Sequence, residues 1–145
     1  EPNTDHDDVQ ITFAREDAVR VQCHNGQMVL TLSIARLSKP PRYWDNFQVQ
    51  AVYVPEVNGC SAELSRHGFI QLAGQRLNLG TQIALRSIFS RVFSKKTPWN
   101  ITPERLANAP ELADVEVTQF TIDDGWIGVA IGPKRTAARQ HLLRR

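Results

Sequence analysis

"TQIALRSIFSRVFSKK", residues 81–96, is the one long helical pattern in a chain whose other apolar segments alternate in twos. Leu85, Ile88, Phe89, Val92 and Phe93 fall at i, i+3, i+4, i+7 and i+8, a single stripe along a helix. Gly80 and Thr81 are the starting residues, with Thr81 as N-cap. Lys95 and Lys96 sit where the dipole favours cations, and Pro98 stops the helix. Arg86, Arg91, Lys95 and Lys96 make the other side basic. The stripe therefore either covers a β-sheet or lies on a membrane or partner.

The surrounding segments favour the sheet. Val9, Ile11 and Phe13 alternate in "VQITF" (9–13), as do Val19, Val21 and Cys23 in "VRVQC" (19–23), with "AREDA" between. Asn25-Gly26 signals a hairpin, because both turn positions must tolerate positive φ. Met28, Leu30, Leu32 and Ile34 then share one face of residues 27–37. "SKPPRYWDN" reads as a stiff break, since Pro40 and Pro41 cannot donate to a ladder. Phe47, Val49, Ala51 and Tyr53 alternate in residues 47–55, which Pro55 ends. "VNG" (57–59) and "HG" (67–68) turn the chain around two more strands, 60–66 and 69–74. Thr102 and Pro103 begin a short helix at "TPERLAN". Asp124-Gly125 turns a final hairpin over 115–132.

The expected order is six strands, a helix, a short helix and two strands. Strand runs joined by tight turns predict an α+β fold: a curved antiparallel sheet of about eight strands, mostly meander, packed on one main amphipathic helix. Such a sheet has an apolar face to cover. Burying the five large side chains of the stripe contributes on the order of 8–15 kcal/mol before entropy. A membrane-surface role for the same face would use Phe89, Phe93 and the downstream Trp99. The core reading is preferred.

A chain of 145 residues with 41% hydrophobic and 22% charged residues suits one soluble domain, here residues 9–133. Residues 1–8 read as a flexible acidic leader with Glu1, Asp5, Asp7 and Asp8. Residues 134–145 read as a basic C-terminal tail with Lys134, Arg135, Arg139, Arg144 and Arg145. The net charge of +2 is too small to imply nucleic acid, and no apolar run approaches the ~18 residues of a membrane span. A meander places Cys23 and Cys60 roughly 14 Å apart, beyond the ~7 Å a disulfide allows. Two half-buried thiols are expected.

No catalytic arrangement emerges. His6, His24, His67 and His141 show no metal-ligand spacing, and Cys23 has no CxxC partner. Neighbouring Cys23 and His24 point to opposite faces of a strand. Asp123-Asp124 is explained by its turn, and phosphate-loop and nucleophile-elbow patterns are absent. "NIT" (100–102) matches a glycosylation acceptor, but Thr102 is already explained as a helix cap. Neither enzyme activity nor a cofactor or metal is expected. The aromatics offer the best binding candidates. Trp44, Trp99 and Trp126 could bound a mouth leading towards Phe89 and Phe93, open to a hydrophobic small molecule or lipid. A protein partner at a sheet edge or the basic tail is the alternative reading.

"TQIALRSIFSRVF" followed by "LADVEVTQFTIDDGWIGVAIG" resembles the helix and closing hairpin of the tubular lipid-binding proteins. In that family a curved antiparallel sheet wraps a long helix. The resemblance implies an apolar ligand and a location outside the cytoplasm.

Overall fold

The computed structural model describes residues 9–74, 77–102 and 104–134. The acidic leader and all of the tail beyond Lys134 lie outside the described residues, as does Pro103. The fold is α+β, with one main helix packed against a strongly curled antiparallel sheet. In chain order the elements are β1 (Gln10–Phe13), β2 (Val19–His24), β3 (Gln27–Lys39), β4 (Arg42–Asn58), β5 (Ser61–Gly74) and α1 (Leu79–Val92). Then come β6 (Trp99–Asn100), α2 (Glu104–Ala107), a 3-10 turn (Pro110–Leu112), β7 (Val115–Asp123) and β8 (Trp126–Pro133). One sheet runs β1-β3-β4-β5-β6, with β2 also pairing β3, and β7 and β8 form a second.

Two compact units share these strands. The first holds residues up to Gln22, Met28–Tyr53 and Arg66–Thr97. The second holds Cys23–Gln27, Val54–Ser65 and the chain from Pro98 onward. The long strands β4 and β5 pass from one unit into the other.

The first unit is built around β3 and β4, which pair in continuous antiparallel register from Met28↔Tyr53 to Lys39↔Arg42. Ile34, Phe47, Val49, Ala51 and Tyr53 are buried along that ladder. From α1, Leu85 and Phe89 complete the core, and Phe93 follows just past the helix. Phe89 meets Phe47 edge to face at 6.2 Å between centroids and stacks on Phe93 at 6.4 Å. The helical stripe is thus core. Ile88 is half-buried, and Val92 lies exposed.

The helix starts earlier than its pattern indicates. Asn78, not Thr81, is the N-cap: its Oδ1 accepts the Thr81 N–H at 2.8 Å. It ends at Val92, where the Phe93 N–H donates to the Phe89 carbonyl, so Lys95 and Lys96 lie beyond the last turn.

Of the breaks read from the sequence, Pro40-Pro41 holds in a narrower form, and Pro55 and His67-Gly68 are not breaks. Pro40-Pro41, a cis pair, forms the tip of a tight hairpin, and β4 begins at once with Arg42. Pro55 lies inside β4, since its fixed φ suits extended backbone. Gly68 takes φ +69 within β5, a local irregularity rather than a turn, so residues 60–66 and 69–74 are one strand. The sixth strand of the sheet is instead β6, whose Asn100 and Trp99 pair with Glu63 and Leu64. Val19 and Val21, read as an inward stripe, are exposed on the short strand β2.

The hairpin signals hold. Asn25-Gly26 and Asp124-Gly125 both take positive φ at both positions. In the second unit these two tips meet: the Gly26 N–H donates to the Ile122 carbonyl and the Gly125 N–H to the Cys23 carbonyl, each at 2.9 Å. The Val117 N–H donates to the Gly59 carbonyl at 2.8 Å. Thr102 is buried, and its hydroxyl accepts the Ala62 N–H at 2.8 Å, which fixes β6 against β5. Cys23 and Cys60 are free thiols, as expected. The Cys60 thiol donates to the Val115 carbonyl. Lys134, the last described residue, is tied by its backbone N–H to the Asp114 carbonyl.

Candidate functional site

The first unit carries an open groove of about 820 Å³ where β3, β4 and the end of β5 come together. Its depth comes from small residues. Ala35 on β3 and Ala73 and Gly74 on β5 present little or no side chain, while Trp44, Phe47 and Leu77 supply apolar walls. Gly74 is required by close approach: a Cβ there would stand 3.0 Å from the Phe47 Cβ and 3.1 Å from the Asn46 carbonyl oxygen. Asn46 takes φ +52, which the amide side chain tolerates better than most.

The rim is polar. Ser33, Asp45, Asn46 and Gln48 line it, and the Gln48 amide lies 3.4 Å from the Ser33 hydroxyl. Asp45 is neutralised across the strands by Arg36, whose Nε and Nη2 donate to its two oxygens at 2.6 and 3.2 Å. The hydrogen bond from Arg36 holds the Asp45 carboxyl below the usual carboxylate range, and the Arg36 guanidinium is raised in turn. The guanidinium also lies over the Tyr43 ring, 5.5 Å from its centroid. The groove therefore combines an apolar trough with a charge-compensated edge, a composition suited to an uncharged or amphiphilic small molecule.

Of the residues expected from sequence, Trp44 lines this groove and is half-buried. Phe89 and Phe93 are 0% and 7% exposed and form the helix–sheet core beside it. Trp99 and Trp126 are exposed and belong to the second unit, whereas Trp44 belongs to the first. Sequence reasoning missed Leu77, Ala73 and Gly74. The run "LAG" at 72–74 was the available signal, because a glycine beside small residues in a strand marks close backbone approach. Among the described residues, no three His, Cys, Asp or Glu side chains converge as a metal site, and no helix is long and apolar enough to cross a membrane.

The second unit presents a different surface. The register Ile122↔Ile127, Phe120↔Val129 and Val117↔Ile131 places six apolar side chains on one face of the β7–β8 hairpin. Val117 and Ile122 are buried, while Ile127, Val129 and Ile131 are exposed. Strand β8 carries no charged residue, and among the described residues it pairs only with β7.

The α+β architecture is compatible with that of tubular lipid-binding proteins at the level of a curled sheet and one helix. Comparison of the chain with protein-family models, curated proteins and solved structures finds no match, so its function is argued from these two surfaces alone.

Proposed function

We propose that the chain is a non-enzymatic binding module whose first unit takes the apolar part of a small amphiphile in the groove beside Trp44. The observation that supports this most is the trough itself. Its volume lies within the usual range of small-molecule sites, roughly 300–1,000 Å³, and its lining joins Trp44, Ala73 and Leu77 to a polar rim. We place the ligand outside the helix–sheet seam, where the Phe47, Phe89 and Phe93 rings pack on one another. It lies at the end of the sheet, with its polar end at Asn46 and Gln48.

Native mass spectrometry of the protein purified from its own host tests this reading. A co-purifying mass is expected, and it should be lost when Ala73→Leu fills the trough. A bare chain mass, or a ligand retained unchanged by Ala73→Leu, would overturn the assignment.

A second reading rests on β8. An uncharged strand with an unpaired outer edge and exposed Ile127, Val129 and Ile131 suits strand addition by a protein partner or a second copy. Val129→Lys should abolish any self-association seen by sedimentation velocity if a second copy pairs there. Association that survives the substitution would count against this edge.

A further inference from the structure

Positive charge is concentrated among the described residues of the first unit. Among the described residues, the first unit carries ten Lys and Arg against three acids, Glu16, Asp17 and Asp45, an excess of seven positive charges. In the first unit Asp17 is paired with Arg20 at 2.9 Å and Asp45 with Arg36, so two of its three acids are already compensated. From Leu77 to Thr102 the chain holds Arg86, Arg91, Lys95 and Lys96 and no acidic residue at all.

This basic stretch is not simply a solvated helix face. Leu79 and Ile83, one turn apart on α1, are 72% and 61% exposed. Phe69 on β5 is 84% exposed, with the Lys95 ammonium 5.7 Å over its ring. The Arg86 Nε donates to the Ile70 carbonyl at 3.2 Å, which ties the flank of α1 to β5 next to Phe69. The apolar stripe of the helix is spent on the core. A second set of large apolar side chains is left in water among cations.

We propose that the first unit docks peripherally on an anionic lipid surface through this flank of α1 and β5. Leu79, Ile83 and Phe69 enter the interface between headgroups and acyl chains, while Lys95, Lys96 and Arg86 stand at the level of lipid phosphates. One exposed ring, Phe69, beside the aliphatic Leu79 and Ile83 offers no run of aromatic platforms of the kind on which a single-strand nucleic-acid groove stacks bases. This docking does not require the groove to be occupied.

Vesicle co-sedimentation tests the proposal. The intact protein should bind vesicles of phosphatidylcholine mixed with phosphatidylglycerol, bind phosphatidylcholine alone far more weakly, and be released as salt shortens the screening length. Reversing Lys95 and Lys96 together to Glu should lower partitioning roughly twentyfold or more. Leu79→Ser with Ile83→Ser should also lower it. All four positions lie outside the core, so the urea midpoint should stay unchanged. Ala73→Leu, which blocks the groove, should bind vesicles like the unaltered protein. Equal binding to both vesicle types, no binding, or unchanged binding by the Lys95/Lys96 or Leu79/Ile83 variants would each overturn the proposal. So would retention of single-stranded RNA by a protein that ignores vesicles.

Discussion

Replacing Phe89 by alanine removes the ring on which the core of the first unit closes. Phe89 is 0% exposed and touches aromatic neighbours on both strand and chain sides, Phe47 edge to face and Phe93 in a stack. Phe→Ala in such a site costs about 3–5 kcal/mol, the sum of lost transfer energy and the cavity left behind. For a chain of this length that corresponds to a fall in Tm of roughly 6–20 °C. In urea, with a slope of about 1–3 kcal/mol/M, the midpoint should drop by at least ~1 M. Circular dichroism during urea titration measures it. Val92→Ala is the internal control. Val92 belongs to the same stripe in sequence, but it is exposed, so its change should stay within about 0.5 kcal/mol. A double-mutant cycle with Phe47→Ala should return a coupling of about 0.5–1.5 kcal/mol for the edge-to-face pair. Equal midpoints for Phe89→Ala and the unaltered protein would refute the placement of α1 on the sheet.

Gly74→Ala should destabilise the first unit by about 1–3 kcal/mol, because the new methyl meets the Phe47 backbone and Cβ at 3.0–3.1 Å; thermal denaturation reads this directly. Burial raises the Tyr53 phenol above its ordinary value of 10.0, with Arg66 opposing the shift. Its folded pKa exceeds the unfolded one, so the contribution is intact below about pH 10 and is lost as pH rises through the folded value. Ultraviolet titration of a Tyr43→Phe protein should show Tyr53 ionising late and together with unfolding. Asp45 shows the opposite sign: its stabilisation is present above the ordinary carboxylate range and fades as pH falls through the lowered value. Arg36→Gln should return the Asp45 carboxyl carbon, followed by NMR, to an ordinary titration.

The fold class was legible because two periods were unambiguous. The 3.6-residue stripe of Leu85, Phe89 and Phe93 and the alternation of Phe47, Val49, Ala51 and Tyr53 meet in one core. The Asn25-Gly26 and Asp124-Gly125 turns were legible for a local reason, the demand for positive φ at both positions. What failed were the breaks. Pro55 and His67-Gly68 carry turn composition but lie inside β4 and β5, because long paired strands absorb a fixed φ or a single left-handed glycine. Edge position also defeats alternation: Val19 and Val21 are patterned for burial and lie open.

Of the groove's lining, only Trp44 had been named among the binding candidates. Phe89 and Phe93 were rightly read as core, and the same observation removes them from direct ligand contact. The groove is made by what is missing, the side-chain bulk at Ala35, Ala73 and Gly74, and by strands far apart in sequence. Composition carries little trace of such a hollow. The meeting of Lys95 with Phe69 and of Arg86 with Ile70 was hidden for a related reason, since α1 and β5 come together only in the fold.

The amphiphile groove can be tested most directly with Trp44 as the sole reporter. In a protein carrying Trp99→Phe and Trp126→Phe, its emission is followed while a dodecyl maltoside is added below the micelle threshold. The account predicts a blue shift that saturates at one amphiphile per chain and disappears with Ala73→Leu. An emission that does not move, or that drifts without saturating whether or not the trough is filled, would contradict it.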